Sequence, residues 1–282
     1  MTIRDDFDSL PAPSKVNLFL RITGRREDGY HSLQSVFRML DFTDLVGIRL
    51  VPENVIRRVS QHPWTDTEDL AVRAARLLAK HGSVKQGVEL HIAKRIPFGG
   101  GLGGGSSDAA TVLVVLNKLW GLNLKRGELQ NLAVSLGADV PFFVYGQSAF
   151  AEGIGEQIVP LKLPDGWYLV VHPNCFVSTQ TVFDDPELTR NSKPIKIADF
   201  SLHEGQNDLQ EAVCRLYPEV LSALEWLGQF GTAAMSGSGS SVFCSFTTLE
   251  RAKAAQAHIP PRWFGFVARG MDRHPLVDWT DD

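Results

Sequence analysis

The 282-residue sequence is poor in cysteine, and its cysteines are scattered. The three of them, Cys175, Cys214 and Cys244, lie far apart, form no metal-binding spacing and leave an odd thiol. The eight histidines show no ligand spacing such as HxxxH. We therefore expect neither a disulfide framework nor a metal site built from cysteine and histidine, and the free thiols fit a reducing cytoplasm.

Long hydrophobic runs and a strong excess of charge are also missing. No apolar run approaches the roughly 18 residues that a membrane span needs. The first ten residues are acidic where a secretory signal would be basic and then apolar. The formal net charge of −4 gives no reason to expect binding to nucleic acid or to a membrane. We therefore expect a cytoplasmic globular protein, and the sequence leaves its oligomeric state open.

The length allows a sizeable core and two domains of ordinary size. Pro160 and the LPDG turn at 163–166 suggest a boundary, with domains at 1–160 and 161–282. Alternating apolar residues predict strands over 12–22, 44–51 and 87–96, and the apolar run at 167–171 predicts a buried strand. In the strand over 12–22, the face that we expect to be exposed carries Lys15, Asn17, Phe19 and Arg21. Helical spacing and capping signals predict helices over 68–81, 109–119, 126–136, 207–216, 219–227 and 250–258, with residues 173–200 rich in loops.

The most distinctive stretch is PFGGGLGGGSS at 97–107, which has six glycines in seven positions. Glycine loses much backbone entropy on ordering, so a fixed loop of this kind needs a compensating contact. A loop that enters a helix N terminus directs free N–H groups at one point, which suits a phosphate. Ser106 and Ser107 could add hydroxyl donors or a ligand for a phosphate-bound Mg²⁺. The alternative is a flexible linker.

Two common phosphate-loop patterns do not fit this stretch. The pattern GxxxxGK[ST] is absent because no lysine follows the glycines. A dinucleotide fingerprint through Gly101 and Gly103 meets Ser106 where a glycine or alanine is expected, and no acidic residue ends a second strand about 20 residues later.

Several residues outside the loop are candidates for chemistry, and each has a structural alternative. Lys15 near the start of a strand could be a solvated strand-end lysine. Tyr30 and His31 follow a turn at 28–29 and could hold a flat ring, or could serve in packing and capping. Asp139 precedes an apolar run, where it is either a buried carboxylate that needs a partner or a helix N-cap.

Three stretches resemble, in order, the three motifs of the GHMP kinases (galactose, homoserine, mevalonate and phosphomevalonate kinases). They are PAPSKVNLFL at 11–20, GGGLGGGSSDAA at 99–110 and SGSGSS at 236–241. DGYH at 28–31 and GADVPFF at 137–143 further resemble the GHMP kinases that act on a cytidine diphosphate-linked methylerythritol. The resemblance covers nearly the whole chain. It implies an α+β, two-domain GHMP kinase fold, with a ribosomal-S5-like N-terminal domain that carries the ATP loop and a ferredoxin-like C-terminal domain.

The activity implied by this resemblance is transfer of the γ-phosphoryl group of ATP, with Mg²⁺, to the 2-hydroxyl of the methylerythritol unit in the non-mevalonate isoprenoid pathway. Asp139 would be the base that takes the hydroxyl proton. Lys15 would lower the effective pKa of that hydroxyl and hold Asp139 in place. The partner would thus be a small molecule.

The resemblance also implies binding residues. Tyr30 and Phe183 would sandwich cytosine, and His31 would hydrogen-bond its edge. Asp108 would complement the dipole of the following helix or serve Mg²⁺. The implied substrate-binding residues are Asn17, Tyr30, His31, Thr179, Phe183, Ser238 and Gly239. The implied ATP loop consists of Pro97, Phe98, Gly99, Gly100, Gly101, Leu102, Gly103, Gly104, Gly105, Ser106 and Ser107.

Two positions depart from the usual pattern of the family. Asp69 replaces an asparagine near the adenine site, and Ser236 replaces a threonine but keeps its hydroxyl. Two other functions stay open. One is another GHMP small-molecule kinase, of the homoserine or mevalonate type, although these substrates have no base to stack on Phe183. The other is a GHMP-fold nucleotide binder without catalysis, which would be expected to lose Lys15, Asp139 or the glycine loop.

Overall fold

A computed structural model describes residues 8–27, 29–61, 65, 67–202 and 204–281 of the chain. The predicted turn at 28–29 therefore includes one residue, Asp28, that lies outside the described residues. The strands are β1 (Asp8–Arg25), β2 (His31–Val51), β3 (Ile56–Arg58), β4 (Gly87–Ala93), β5 (Ala149–Glu152), β6 (Gln157–Pro160), β7 (Trp167–His172), β8 (Ala233–Met235), β9 (Val242–Phe246) and β10 (Phe264–Met271). The helices are α1 (Leu70–Gly82), α2 (Gly104–Leu119), α3 (Arg126–Val134), α4 (Val140–Tyr145), α5 (Thr179–Phe183), α6 (Gln210–Leu216), α7 (Pro218–Leu227) and α8 (Leu249–Gln256), with short 3₁₀ turns at Ile197–Leu202 and Val277–Trp279.

One sheet connects the two halves of the chain. Its strand order is β3-β4-β2-β10-β7-β9-β8, and β1 and β5 pair with further stretches of β2. The last strand, β10, is the connection, because it pairs with β7 from Phe264 to Arg269 and then with β2 at Gly270 and Met271. The domain boundary between residues 160 and 161 stays a prediction.

Strand β1 is buried on both faces over residues 12–20, and the expectation of one exposed face is wrong there, whereas Arg21 is half-buried. Lys15, Asn17 and Phe19 are as deeply buried as the apolar residues that alternate with them. The reason is tertiary. Helix α2 contacts the strand, and Phe200, from the segment after β7, packs edge-on against Phe19 with ring centroids 6.4 Å apart. A polar side chain in such a strand must find partners inside the protein.

Three apolar clusters form the core. The largest packs helices α1 to α4 against the strands of the N-terminal half, and the second packs α6, α7 and α8 against β7 and β9. A third cluster, which includes Val16, Phe150, Leu163 and Phe266, joins residues from both halves. None of the helices in the described part of the chain combines the length and hydropathy that a membrane-spanning segment needs.

Several helix limits differ from the predictions. Helix α1 begins after Asp69, two residues later than predicted, and the Asp69 carboxylate caps it by accepting from the N–H groups of Ala71 and Val72. The same helix ends at Gly82, one residue beyond the predicted end, and Ser83 follows as its C-cap in the left-handed conformation at φ 52°. Helices α4 and α5 were not predicted, because each is only five or six residues long and depends on packing rather than on a periodic pattern.

Candidate active site

The glycine loop leads from the end of β4 into α2. Gly99, Gly101 and Gly103 have φ values of +65°, +71° and +72°, in the left-handed region that L side chains rarely adopt. Helix α2 begins at Gly104, five residues before the predicted start, so the last two glycines and both serines form its first turn. The first N–H groups of a helix lack intrahelical acceptors, which supports the predicted phosphate site.

The two serines of this turn differ in their surroundings. Ser106 lines a cavity beside the loop. Ser107 is fully buried, and its Oγ has no hydrogen-bond partner within the described residues. Only Ser106 is therefore placed where its hydroxyl can reach a ligand in that cavity.

Backbone contacts bring the three motifs together. The Lys15 N–H donates to the Leu102 carbonyl at 2.9 Å, and the Ser241 N–H donates to the Gly100 carbonyl at 3.1 Å. Ser236 accepts from the Asn17 N–H at 3.2 Å and donates to the Gly101 carbonyl at 2.9 Å. Residues more than 80 positions apart in the sequence thus share one hydrogen-bonded network around the glycine loop.

Lys15 and Asp139 form an ion pair next to this network. The Lys15 Nζ lies 3.3 Å from the Asp139 Oδ2, and the two side chains are 3% and 31% exposed. Lys15 also donates to the Asn17 Oδ1 at 2.6 Å, and the Asn17 amide donates to the Ser35 Oγ at 2.7 Å. Asp139 directly precedes α4, but its carboxylate accepts no capping bond from the described residues. The N-cap alternative for Asp139 is therefore not supported.

A cavity of about 270 Å³ contains this pair and the end of the glycine loop. Thr179 and Ser238 close one side, with their hydroxyl oxygens 2.7 Å apart. Leu33, Phe37 and Ile154 supply apolar walls. The candidate residues that line it are Lys15, Asn17, Gly101, Ser106, Asp139, Thr179, Phe183 and Ser238.

The residues implied for cytosine lie at the edge of this cavity. The His31 ring stacks on Phe183, with centroids 4.9 Å apart and an interplanar angle of 24°. Tyr30 is 61% exposed, and it is not among the residues that line the cavity. Burial, aided by the positive charges of Arg190 and Arg25 and opposed by Asp184, lowers the pKa of His31. The sandwich of cytosine between Tyr30 and Phe183 stays a prediction.

Arg190 is a residue of this region that the sequence analysis missed. Its guanidinium donates to the His31 Nε2 at 3.2 Å and to the carbonyls of Phe183 and Asp185 at 2.7 Å each. It lies in a polar loop without periodicity, and no sequence signal distinguished it from the other basic residues there.

A second cavity, of about 340 Å³, adjoins the start of α1 and the glycine loop. Asp69, the residue that departs from the family pattern, lies in its wall and accepts from Arg58 at 2.7 Å. Its other oxygen caps α1 through the N–H groups of Ala71 and Val72. Both carboxylate oxygens are thus occupied within the protein.

Asp108, also in this wall, has a buried cation as its partner. Lys94 bonds to Asp108 at 2.7 Å and also to Asp44. Burial raises the pKa of Asp108 to about 7, opposed by Lys94 and assisted by the negative charge of Asp44. Asp108 is not in the first turn of α2, so the proposed role with the helix dipole is not supported. Within the described residues, no three His, Cys, Asp or Glu side chains converge as metal ligands.

Comparison with known proteins identifies the family. Models of the GHMP kinase N-terminal domain and of the GHMP kinase C-terminal domain match residues 69–147 and 188–264. A 4-diphosphocytidyl-2-C-methyl-D-erythritol kinase of Thiobacillus denitrificans is 52% identical over 275 residues, which is 97% of this chain and 99% of the relative. The corresponding kinase of Nitrosospira multiformis is also 52% identical, over 97% of this chain and 94% of the relative.

The chain belongs to the GHMP kinases, in the branch of the 4-diphosphocytidyl-2-C-methyl-D-erythritol kinases. A crystal structure of a 4-(cytidine 5'-diphospho)-2C-methyl-D-erythritol kinase matches with a TM-score of 0.81 and 34% identity, over 93% of this chain and 99% of that one. The predicted GHMP kinase family, its branch and the two-domain α+β fold are confirmed.

More distant GHMP kinases share only the fold. A homoserine kinase from Cytophaga hutchinsonii matches with a TM-score of 0.69 at 18% identity, over 97% of each chain. The high identity to the cytidyl-methylerythritol branch favours the main prediction over a homoserine or mevalonate kinase and over a binder without catalysis.

Proposed function

We propose that the cavity between Lys15, Asp139 and the glycine loop is the place where ATP phosphorylates the 2-hydroxyl of 4-diphosphocytidyl-2-C-methyl-D-erythritol. The chain is a kinase of this substrate, as its relatives are. The observation that supports this location is the 3.3 Å contact between the Lys15 Nζ and the Asp139 Oδ2, in a cavity that Ser106 and Gly101 also line.

Asp139 serves as the base in this proposal. As the substrate oxygen forms a bond to the γ-phosphorus, the bond from that phosphorus to the β–γ bridging oxygen breaks. The hydroxyl proton passes to the Asp139 carboxylate, and ADP leaves with the bond electrons. Most of the catalytic effect in such transfers comes from positioning and charge rather than from covalent chemistry.

Lys15 supports this step in two ways. Its ammonium is 3% exposed and lies 3.3 Å from Asp139, where its positive charge holds the carboxylate in place and stabilises the developing alkoxide. Asn17 accepts from Lys15 and is itself anchored to Ser35, so the ammonium has a defined direction. A tertiary alcohol is a poor nucleophile, and this arrangement polarises it.

In this proposal, the glycine loop and the first turn of α2 hold the triphosphate of ATP through their backbone N–H groups and the Ser106 hydroxyl. Mg²⁺ would be held mainly by the phosphates of ATP, with Ser106 as a candidate protein ligand, and would neutralise their charge. Asp108 fits this role less well because Lys94 already engages its Oδ2. We further propose a cytoplasmic location, because all three cysteines are free thiols.

The substitution Asp139→Asn tests this assignment. Loss of the base should lower kcat by roughly 10²- to 10⁴-fold, while calorimetric binding of ATP stays close to that of the wild type. Asp278→Asn is the matched control, because that carboxylate is 81% exposed and its ion-pair partner among the described residues, Arg273, is itself 60% exposed. Turnover should be measured on the cytidyl-methylerythritol substrate beside homoserine and mevalonate.

Two results would contradict the proposal in different ways. A kcat of Asp139→Asn within about ten-fold of the wild type would remove Asp139 as the base. Turnover of the wild type on homoserine or mevalonate alone would overturn the substrate and leave the catalytic pair in place.

A further inference from the structure

Arg190 connects two parts of the proposed base-binding region. Its three bonds to the carbonyls of Phe183, Asp185 and Leu188 hold the turn after α5. Its fourth, from Nε, reaches across to His31 at the start of β2, at 3.2 Å from Nε2. Every guanidinium nitrogen is therefore engaged, and one of them contacts the histidine.

This contact determines the chemistry of the imidazole. An arginine side chain only donates hydrogen bonds and stays protonated in proteins. A nitrogen that accepts from arginine must carry a lone pair, so the His31 Nε2 has no proton. Burial and the charge of Arg190 lower the pKa of His31, which favours the neutral ring. A neutral ring without a proton on Nε2 carries it on Nδ1.

Nδ1 is then the single donor that the His31 side chain can offer to a ligand. Within the described part of the chain it has no hydrogen-bond partner, and the ring is only half-buried. Arg190 and Arg25 act on the ring as positive charges and Asp184 as a negative one. Arg190 is the cation that donates to it.

The stack on Phe183 leaves space for a base beside His31. Ring planes in contact lie about 3.5 Å apart. The centroids of His31 and Phe183 are 4.9 Å apart, so the two rings are displaced sideways by roughly 3 Å. Part of the Phe183 face is therefore uncovered. A flat base in the plane of His31 would stack on that part and turn its edge toward the histidine.

We propose that Arg190 is a positioning residue that holds His31 as the neutral Nδ1–H tautomer, so that His31 donates one hydrogen bond to an acceptor on the edge of cytosine. The acceptors on that edge are the ring N3 and the O2 carbonyl. This inference rests on the proposed function for the identity of the base, but the tautomer of His31 can be measured without any substrate.

The first experiment is ¹⁵N NMR of histidine-labelled protein at pH 8. The His31 signals are assigned from their loss in His31→Asn. We expect a protonated Nδ1 and a bare Nε2 in the wild type, and a shift toward the Nε2–H tautomer of free histidine in Arg190→Met. Arg21→Met is the matched control, because Arg21 also bonds the backbone of this loop, at the Lys193 carbonyl, without contacting His31.

The second experiment is a double-mutant cycle in steady-state kinetics. Loss of one oriented hydrogen bond should raise the KM for the cytidyl substrate roughly three- to ten-fold in Arg190→Met, with the KM for ATP unchanged. In His31→Asn the amide takes the place of Nδ1 and can donate without help from Arg190. Adding Arg190→Met to His31→Asn should therefore raise KM no further.

The possible outcomes are distinct. If Arg190→Met raises KM equally in the wild type and in His31→Asn, or if Arg21→Met raises it as much, Arg190 only holds the loop and the inference is overturned. A protonated Nε2 in a wild type that turns over the cytidyl substrate would overturn it too, and would leave the proposed function intact. A bare Nε2 without any turnover on that substrate would instead overturn the proposed function.

Discussion

The Arg58–Asp69 pair lends itself to a quantitative test of how this protein is stabilised. Its two side chains are only 2% and 3% exposed, and their N–O distance is 2.7 Å. The same carboxylate caps α1. Removal of one partner from a buried pair leaves an uncompensated charge, which costs about 3–5 kcal/mol. Loss of an N-cap costs about 1 kcal/mol.

From these contacts we expect Asp69→Ala to lower the free energy of unfolding by about 4–6 kcal/mol, because it removes both the pair and the cap. Asp69→Asn, which restores the usual family residue, keeps an oxygen for the cap but turns an amide toward Arg58. We expect this substitution to lower the free energy of unfolding by about 3 kcal/mol. The double variant Arg58→Met with Asp69→Asn buries no charge at this site. Its loss of unfolding free energy should therefore be smaller than the sum of the losses of the two single variants.

Urea unfolding provides the measurement, followed in parallel by circular dichroism and tryptophan fluorescence so that coincidence of the two curves tests the two-state assumption. The control is Asp278→Asn, which breaks an exposed pair and should cost less than about 1 kcal/mol. If Asp69→Asn costs no more than this control, or if the double variant is simply additive, the argument from the buried charge is refuted.

Two further predictions concern the glycine loop and Asp108. An added Cβ at Gly101, where φ is +71°, would lie 2.1 Å from the Ser236 carbonyl oxygen, so Gly101→Ala should lower kcat/KM by at least about 100-fold. Gly127→Ala in α3 meets open space and should raise the melting temperature slightly; an active Gly101→Ala enzyme would contradict the close packing of the loop. The pKa of Asp108, raised to about 7 in the folded state from 3.8, means that the folded protein binds a proton more tightly than the unfolded chain. The free energy of unfolding without ligand should therefore fall as the pH rises from about 5 to 7.5, and this fall should be weaker in Asp108→Asn; equal slopes in both proteins would show that Asp108 does not titrate there.

Local sequence was sufficient where one short stretch carries the whole signal. The glycine loop followed by an apolar helix indicated a phosphate site without any knowledge of the fold, because backbone freedom and free helical N–H groups are local properties. The capping and periodicity signals located α1, α3 and α7 to within two residues. The resemblance of five separate stretches then identified the family, which the comparisons confirmed.

Local sequence failed where the deciding contact comes from a distant segment. From local sequence alone Asp139 was either a buried carboxylate or a helix cap, and its contact with Lys15, together with the missing capping bond among the described residues, favours the paired carboxylate. Arg190 carried no signal because its partner, His31, is 159 positions away. Asp69 was only a departure from the usual asparagine near the adenine site, and the structure provides Arg58 as its partner.

By itself, the sequence determined the glycine loop, most of the helices and the family. These follow from residue type, spacing and periodicity within single stretches. The burial of both faces of β1, the environment of Lys15 and the pairing of Asp69, Asp108 and His31 were decided only by the tertiary structure. The physical reason is that desolvation and ion pairing depend on which groups surround a side chain, and here those groups come from elements far apart in the chain.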